Sequence, residues 1–168
     1  MYLKGLVYLV IFSILHFGYE LTQWSWLTPL CGVNESVFQH LKMSFWAYIF
    51  TSLIEYALVR KRYTEKGCFF YSRMLSAVIL PWITALIWYI VPGIFGRIES
   101  LSLEVLWAVV STYFSCVSVI IIEQNLNERF EAGFRVVVLI LFVVSAILYV
   151  WFTYKLPWID LFVNPELL

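Results

Sequence analysis

Five long apolar runs separated by short polar breaks constrain this chain more than any other feature of its sequence. A helix needs about 20 residues to cross the hydrocarbon core of a bilayer, and each run is long enough. The predicted spans are residues 5–26, 35–59, 70–91, 102–123 and 134–154. The pattern predicts an all-α integral membrane protein in which residues 1–168 form one domain, a bundle of five transmembrane helices.

The composition agrees with that fold class. The chain is 62% hydrophobic and 13% charged, whereas a soluble domain is nearer half apolar and a quarter charged. A single small core cannot bury the excess of apolar side chains. The expected partner is therefore the lipid bilayer, and the chain is expected to be a multi-pass protein of the cell membrane. The net charge is zero, which gives no indication of a nucleic-acid partner.

The distribution of lysine and arginine predicts the orientation, because cytoplasmic loops carry an excess of both. Basic residues precede the first span and lie around the second and fourth breaks, and the other breaks carry few. These residues are Lys4, Arg60, Lys61, Arg62, Lys66, Arg73, Arg129 and Arg135. The N-terminus is therefore predicted to be cytoplasmic and the C-terminus outside. Pro81 predicts a kink in the third span, where a neighbouring helix must satisfy the freed carbonyl.

Polar side chains are concentrated in the first two spans. His16 and Glu20 are four residues apart and share one helix face. Asn34 is predicted to cap the second helix, and Glu35 complements its positive end. Following the helical period from His40 gives an inward-facing stripe, because lipid-facing positions would not keep polar groups. The stripe consists of Ser36, His40, Ser44, Thr51 and Glu55.

A short turn joins the first two helices, which are therefore predicted to be antiparallel neighbours. His16, Glu20, Glu35 and His40 would then converge near the outer surface. Imidazole and carboxylate groups are ligands of zinc, and a catalytic zinc keeps one coordination position open. The sequence therefore predicts a divalent-metal site formed by these four residues, with Glu20 or Glu35 as catalytic base. The corresponding function is a membrane-embedded hydrolase.

Two other functions remain open at this point. The stripe could line a path for a cation or small solute, which would make the chain a transporter or channel subunit. Alternatively, the polar groups only link helices by hydrogen bonds, as in a scaffold, a homo-oligomer or a partner subunit of a membrane complex. Glu55 and Glu123 are expected near the cytoplasmic surface, within reach of Arg60 or water. Lys42 is expected to extend its ammonium to the outer interface, and the alternative is that it supplies a charge that binds an anion.

The segments "HFGYE" and "VNESVFQHLK" resemble a family of small uncharacterised bacterial integral membrane proteins. Those proteins carry H-F-x-Y-E and V-N-E-S-V-W-x-H-L-K motifs. Phe38 replaces the usual tryptophan here, and Gln39 stands where glutamate is common. The final "KLPWIDLFVNPE" is similar to the family's ending, with Asp160 and Asn164–Pro165 nearest to its Asp-Pro pair. The matching polar positions are His16, Glu20, Asn34, Glu35, Ser36, His40 and Lys42. The resemblance implies a fold and no activity.

Overall fold

The described part of the chain is helical and contains no strand. A computed structural model of the protein describes residues 1–59, 66–126 and 130–164. The five helices are α1 (Tyr2–Thr22), α2 (Val37–Val59), α3 (Lys66–Phe95), α4 (Leu101–Leu126) and α5 (Ala132–Tyr154). Short 3₁₀ helices cover Ser25–Leu27 and Asp160–Phe162. Residues Arg60, Lys61, Arg62, Arg129 and Pro165, to which the sequence assigned roles, lie outside the described ranges.

Four of these helices are long and apolar enough to cross a membrane: α1, α3, α4 and α5. The helix α2 is 23 residues long, but it carries too many polar groups to be identified as a membrane span from its composition. Its position explains this composition, because α2 packs against α1 and α3 and, through Phe45, against Phe142 and Tyr149 of α5. Its side chains between residues 38 and 48 are almost all buried. They face protein where a lipid-exposed helix would face hydrocarbon.

The helix α3 continues through two prolines, Pro81 and Pro92. A proline lacks an N–H, so the carbonyl four residues earlier loses its donor. For Pro92 that carbonyl belongs to Trp88, and the indole N–H of Trp107 on α4 donates to it at 2.9 Å. A neighbouring helix therefore satisfies a freed carbonyl, the solution that membrane-embedded helices require.

The turn between α1 and α2 differs from the sequence prediction at both ends. The helix α1 ends at Thr22, four residues early, because Gln23 adopts a left-handed φ of 55° and its N–H bonds to the Tyr19 carbonyl. The predicted capping role of Asn34 is wrong: α2 begins at Val37, and Asn34 Oδ1 accepts the N–H of Ser36 at 3.0 Å. Asn34 thus closes a side-chain turn before the helix.

The prediction that Lys42 reaches the outer interface is also wrong. Its side chain is fully buried, because α2 is enclosed on all sides at this level. Its ammonium donates to the carbonyl of Thr28 at 2.6 Å and to the hydroxyl of Thr153 at 3.3 Å. Lys42 therefore connects the turn after α1 to the end of α5.

Candidate functional site

The loop that joins α1 to α2 folds back against both helices. The N–H of Gly32 donates to the carbonyl of Leu15 on α1 at 3.1 Å. On the other side, a Cβ at Gly32 would lie 2.8 Å from the sulfur of Met43 on α2. Real Cβ contacts are not that short, so a side chain at this position would force either the loop or the end of the buried Met43 side chain to move. This packing fixes the loop three residues before Glu35.

Three predicted site residues come together beside this loop. The rings of His16 on α1 and His40 on α2 meet edge to face, with centroids 5.4 Å apart. Oε2 of Glu35 lies 3.7 Å from Nε2 of His16 and 3.4 Å from Nε2 of His40. One ligand atom from each residue lies within 4.8 Å of the other two. The antiparallel packing of α1 and α2 produces this convergence.

The orientation of the His40 ring is set by its other nitrogen. Nδ1 lies 3.0 Å from the backbone carbonyl of Ser36. A carbonyl only accepts, so Nδ1 carries a proton, and in the neutral imidazole Nε2 then keeps its lone pair. Histidines that bind metals are commonly held by this kind of contact to a backbone carbonyl. The neutral form of His40 therefore presents a nitrogen lone pair on the side of Glu35.

The distances can be compared with those that a tetrahedral ion requires. Zinc–ligand bonds of ~2.0–2.1 Å place neighbouring ligand atoms ~3.3 Å apart. The separations of 3.4 and 3.7 Å are near this value. They exceed the 2.7–3.2 Å usual for a direct N–H···O bond, so Glu35 is not tied tightly to either imidazole. The three residues could therefore hold a divalent metal after a small contraction.

A cavity of about 420 Å³ adjoins the cluster. Most of its wall is polar, and Glu20 belongs to this wall without joining the group of His16, Glu35 and His40. The lining residues are His16, Tyr19, Glu20, Gln23, Gly32, Val33, Asn34, Glu35 and Met43. Of the residues predicted to form the site, three are thus within ligand distance, and Glu20 borders the space beside them.

Three members of the stripe along α2, Ser36, Ser44 and Thr51, are buried, and two of their hydroxyls bond to protein groups. The hydroxyl of Ser44 lies 2.8 Å from that of Tyr8 on α1. Thr51 donates to the carbonyl of Ala47. Ser36 is buried, and its hydroxyl has no partner among the described residues. Among the described residues, no continuous row of polar groups lines an open path from His40 to Glu55.

A second polar cluster lies at the opposite end of the bundle, and sequence reasoning predicted only part of it. Glu55 on α2 and Glu123 on α4 share two cations, Lys4 of α1 and Arg73 of α3. The Lys4 ammonium lies 2.7 Å from both carboxylates, and Arg73 Nη2 lies 2.9 and 3.3 Å from them. The Tyr48 hydroxyl donates to Glu123 at 2.5 Å. Four helices are therefore joined by two positive and two negative charges.

The basic members of this cluster, Lys4 and Arg73, which the sequence analysis took as markers of the cytoplasmic side, lie in buried positions. The side chains of Lys4 and Arg73 are only 10% and 6% exposed. Since Lys4 and His16 are twelve residues apart on α1, the two polar clusters are ~18 Å apart along the helix. The histidine site and the ionic cluster are thus separate features of the bundle.

Comparison with known proteins gives the chain a family. No curated protein matches the chain significantly, and no solved structure does. The model of one family, described as a family of unknown function (DUF6512), matches residues 1–166. The match covers α1 to α5 and both polar clusters, so the whole described fold falls within it. The chain belongs to the DUF6512 family.

Proposed function

We propose that the protein is an integral membrane protein that binds one divalent metal ion through His16, Glu35 and His40. The observation that carries the proposal is the convergence of three ligand atoms within 4.8 Å, in which the two separations from Glu35, 3.4 and 3.7 Å, are near the value for a tetrahedral ion. Two imidazoles and one carboxylate form the ligand set of several zinc hydrolases. The adjoining cavity leaves room for a fourth ligand.

The proposed reaction class is hydrolysis of a membrane-borne substrate. A bound divalent metal would polarise the carbonyl of the substrate as a Lewis acid. Glu20, in the cavity wall, is the proposed base. It takes a proton as water adds to the acyl carbon, and the proton passes to the leaving group as its bond to that carbon breaks. No oxidation or reduction is involved.

We also propose that all five helices cross the membrane, with the N-terminus on the cytoplasmic side. The position of α2 supports this, because its two ends face opposite ends of α1: His40 lies beside His16, and Glu55 beside Lys4. A 23-residue helix is ~35 Å long, enough to span the hydrocarbon. In this orientation the histidine site faces outward, and the ionic cluster lies near the cytoplasmic side.

The transporter hypothesis has less support. It requires Glu55 to share a cavity with His40, whereas Glu55 is bound by Arg73 and Lys4 and does not line the cavity beside His16.

The scaffold hypothesis makes a separate prediction. If the cluster only fixes helix packing, His40→Ala should lower thermal stability and leave the metal content unchanged.

Metal analysis of the purified protein tests the proposal. The chain is purified through a tag that is not a metal-affinity tag and without chelator, and its metals are measured by mass spectrometry. We expect about one divalent metal per chain, and a Co²⁺ titration should produce the visible absorption of a tetrahedral site with nitrogen and oxygen ligands. Both signals should disappear in the variant His16→Ala/His40→Ala.

The matched comparison uses two glutamates. Glu35→Gln removes a proposed ligand, and Glu104→Gln makes the same change at an exposed position in the first turn of α4. The first variant should bind Co²⁺ more weakly, and the second should bind it as the unmodified protein does. Substoichiometric metal that stays the same in the double histidine variant would overturn the proposal.

A further inference from the structure

We infer that the cavity beside His16 and Glu35 accepts an uncharged carbonyl compound, such as an ester or amide, and excludes phosphate groups. This inference rests on the proposed metal site and specifies its ligand class. It follows from the charges around the cavity, which can be counted from the residues that line it.

The cavity wall contains carboxylates without cations. Glu20 and Glu35 line it, and the described lining includes no lysine or arginine. One divalent ion would balance the two carboxylates and bring the formal charge of the site to zero. A phosphate or phosphodiester would add negative charge that nothing in the wall offsets. Proteins usually bind such groups with arginine, lysine or a helix N-terminus.

The surrounding structure does not supply the missing positive charge. Lys42 is the buried cation of α2 nearest in sequence to His40, but its ammonium is held by Thr28 and Thr153 and has no solvent exposure. The cavity wall includes Gln23, which follows the end of α1 at Thr22, and Glu35, which lies two residues before the start of α2 at Val37. One is near a negative helix end and the other near a positive one, so the two helix dipoles oppose each other. The carboxylates of Glu20 and Glu35 therefore dominate the electrostatic field in the cavity.

The remaining polar groups in the wall suit an uncharged ligand. Tyr19, Gln23 and Asn34 contribute a hydroxyl and two amides. Asn34 uses its oxygen to accept the Ser36 N–H, which leaves its amide NH₂ as a donor. Neutral donors can bond a carbonyl oxygen without requiring charge. Burial of an uncharged group also avoids the desolvation penalty that an anion would suffer near the membrane.

The test uses Co²⁺-loaded protein and two small probes. Acetamide stands for an uncharged carbonyl ligand, and inorganic phosphate stands for the excluded class. We expect acetamide to shift the visible Co²⁺ bands with saturation, and phosphate to leave them unchanged at the same concentrations. Removing one negative charge should relax the exclusion, so Glu20→Gln should strengthen phosphate binding by about tenfold. Glu104→Gln, an equal change of charge on α4, should not.

The possible outcomes separate this inference from the metal proposal. If Co²⁺ shows no visible absorption of a tetrahedral site in the unmodified protein, the metal proposal fails and the inferred ligand class fails with it. If the spectrum forms and phosphate perturbs it as strongly as acetamide does, the metal proposal stands and the inferred ligand class is overturned. Circular dichroism of Glu20→Gln checks that the variant is folded. If it is not, Glu20→Asp supplies the comparison, because it keeps the charge and should keep phosphate excluded.

Discussion

The ammonium of Lys4 lies 2.7 Å from a carboxylate oxygen of Glu123, which is 119 positions away in the sequence. Glu123 is only 1% exposed, so the pair is removed from water. Arg73 and Glu55 complete the group, and its formal charge is zero. Such a cluster is costly to bury and still more costly to leave incomplete.

Glu123→Gln should therefore destabilise the bundle strongly. The substitution leaves two cations facing one carboxylate, and breaking a buried ion pair on one side costs about 3–5 kcal/mol. Adding Lys4→Met returns the group to neutrality, with Arg73 still bound to Glu55. We expect the double variant to be more stable than Glu123→Gln alone. Thermal unfolding in detergent measures the effect, and strictly additive losses would count against a coupled cluster.

A second prediction concerns the indole of Trp107 and the carbonyl of Trp88 that it satisfies. Trp107→Phe removes the donor and leaves that carbonyl unpaired, because Pro92 cannot supply an N–H. In a Pro92→Ala background the helix regains its own donor, so the same change should cost less. We expect a coupling of about 1 kcal/mol in a double-mutant cycle of unfolding free energies. Equal costs in both backgrounds would show that the bond contributes nothing.

Much of the fold could be predicted from local pattern. The five helices follow from the apolar runs and their breaks, and the inward face of α2 follows from the helical period of its polar residues. The meeting of His16 with His40 follows from one short turn, because a short connection forces neighbouring helices to be antiparallel. Each of these inferences uses residues that are close together in the sequence.

The sequence could not predict contacts between distant parts of the chain. Nothing in the sequence shows that Glu123 will lie beside Lys4 and Arg73. The prediction for Lys42 failed because the carbonyl of Thr28 and the hydroxyl of Thr153 bind its ammonium in a buried position. No sequence pattern singles out Tyr48, whose hydroxyl donates to Glu123. Spacing along the chain carries no information about such contacts.

Gly32 should matter for metal binding although it contains no ligand atom. A Cβ there would lie 2.8 Å from the sulfur of Met43. Because Met43 is buried and has little room to move, we expect Gly32→Ala to displace the loop that carries Glu35. We expect Co²⁺ affinity to fall by about tenfold, as when the support of a metal ligand is altered. Met43→Ala makes room and should restore affinity in the double variant. Met43→Ala alone should lower stability with little change in affinity. A double variant that binds no better than Gly32→Ala would show that the steric contact is not the cause.

The affinity of the site for the metal should also fall as the pH is lowered. The direction of this change follows from competition between protons and the metal for the same imidazole nitrogens. Protons and the metal compete for the imidazoles of His16 and His40, so binding releases protons and affinity falls as the pH is lowered. With two imidazoles the logarithm of the affinity should fall by up to ~2 for each pH unit once both are protonated in the free protein. Co²⁺ titrations between neutral and mildly acidic pH measure this slope. His40→Ala should reduce it to about half, because one competing nitrogen is lost. A slope that is unchanged in this variant would place the metal away from His40.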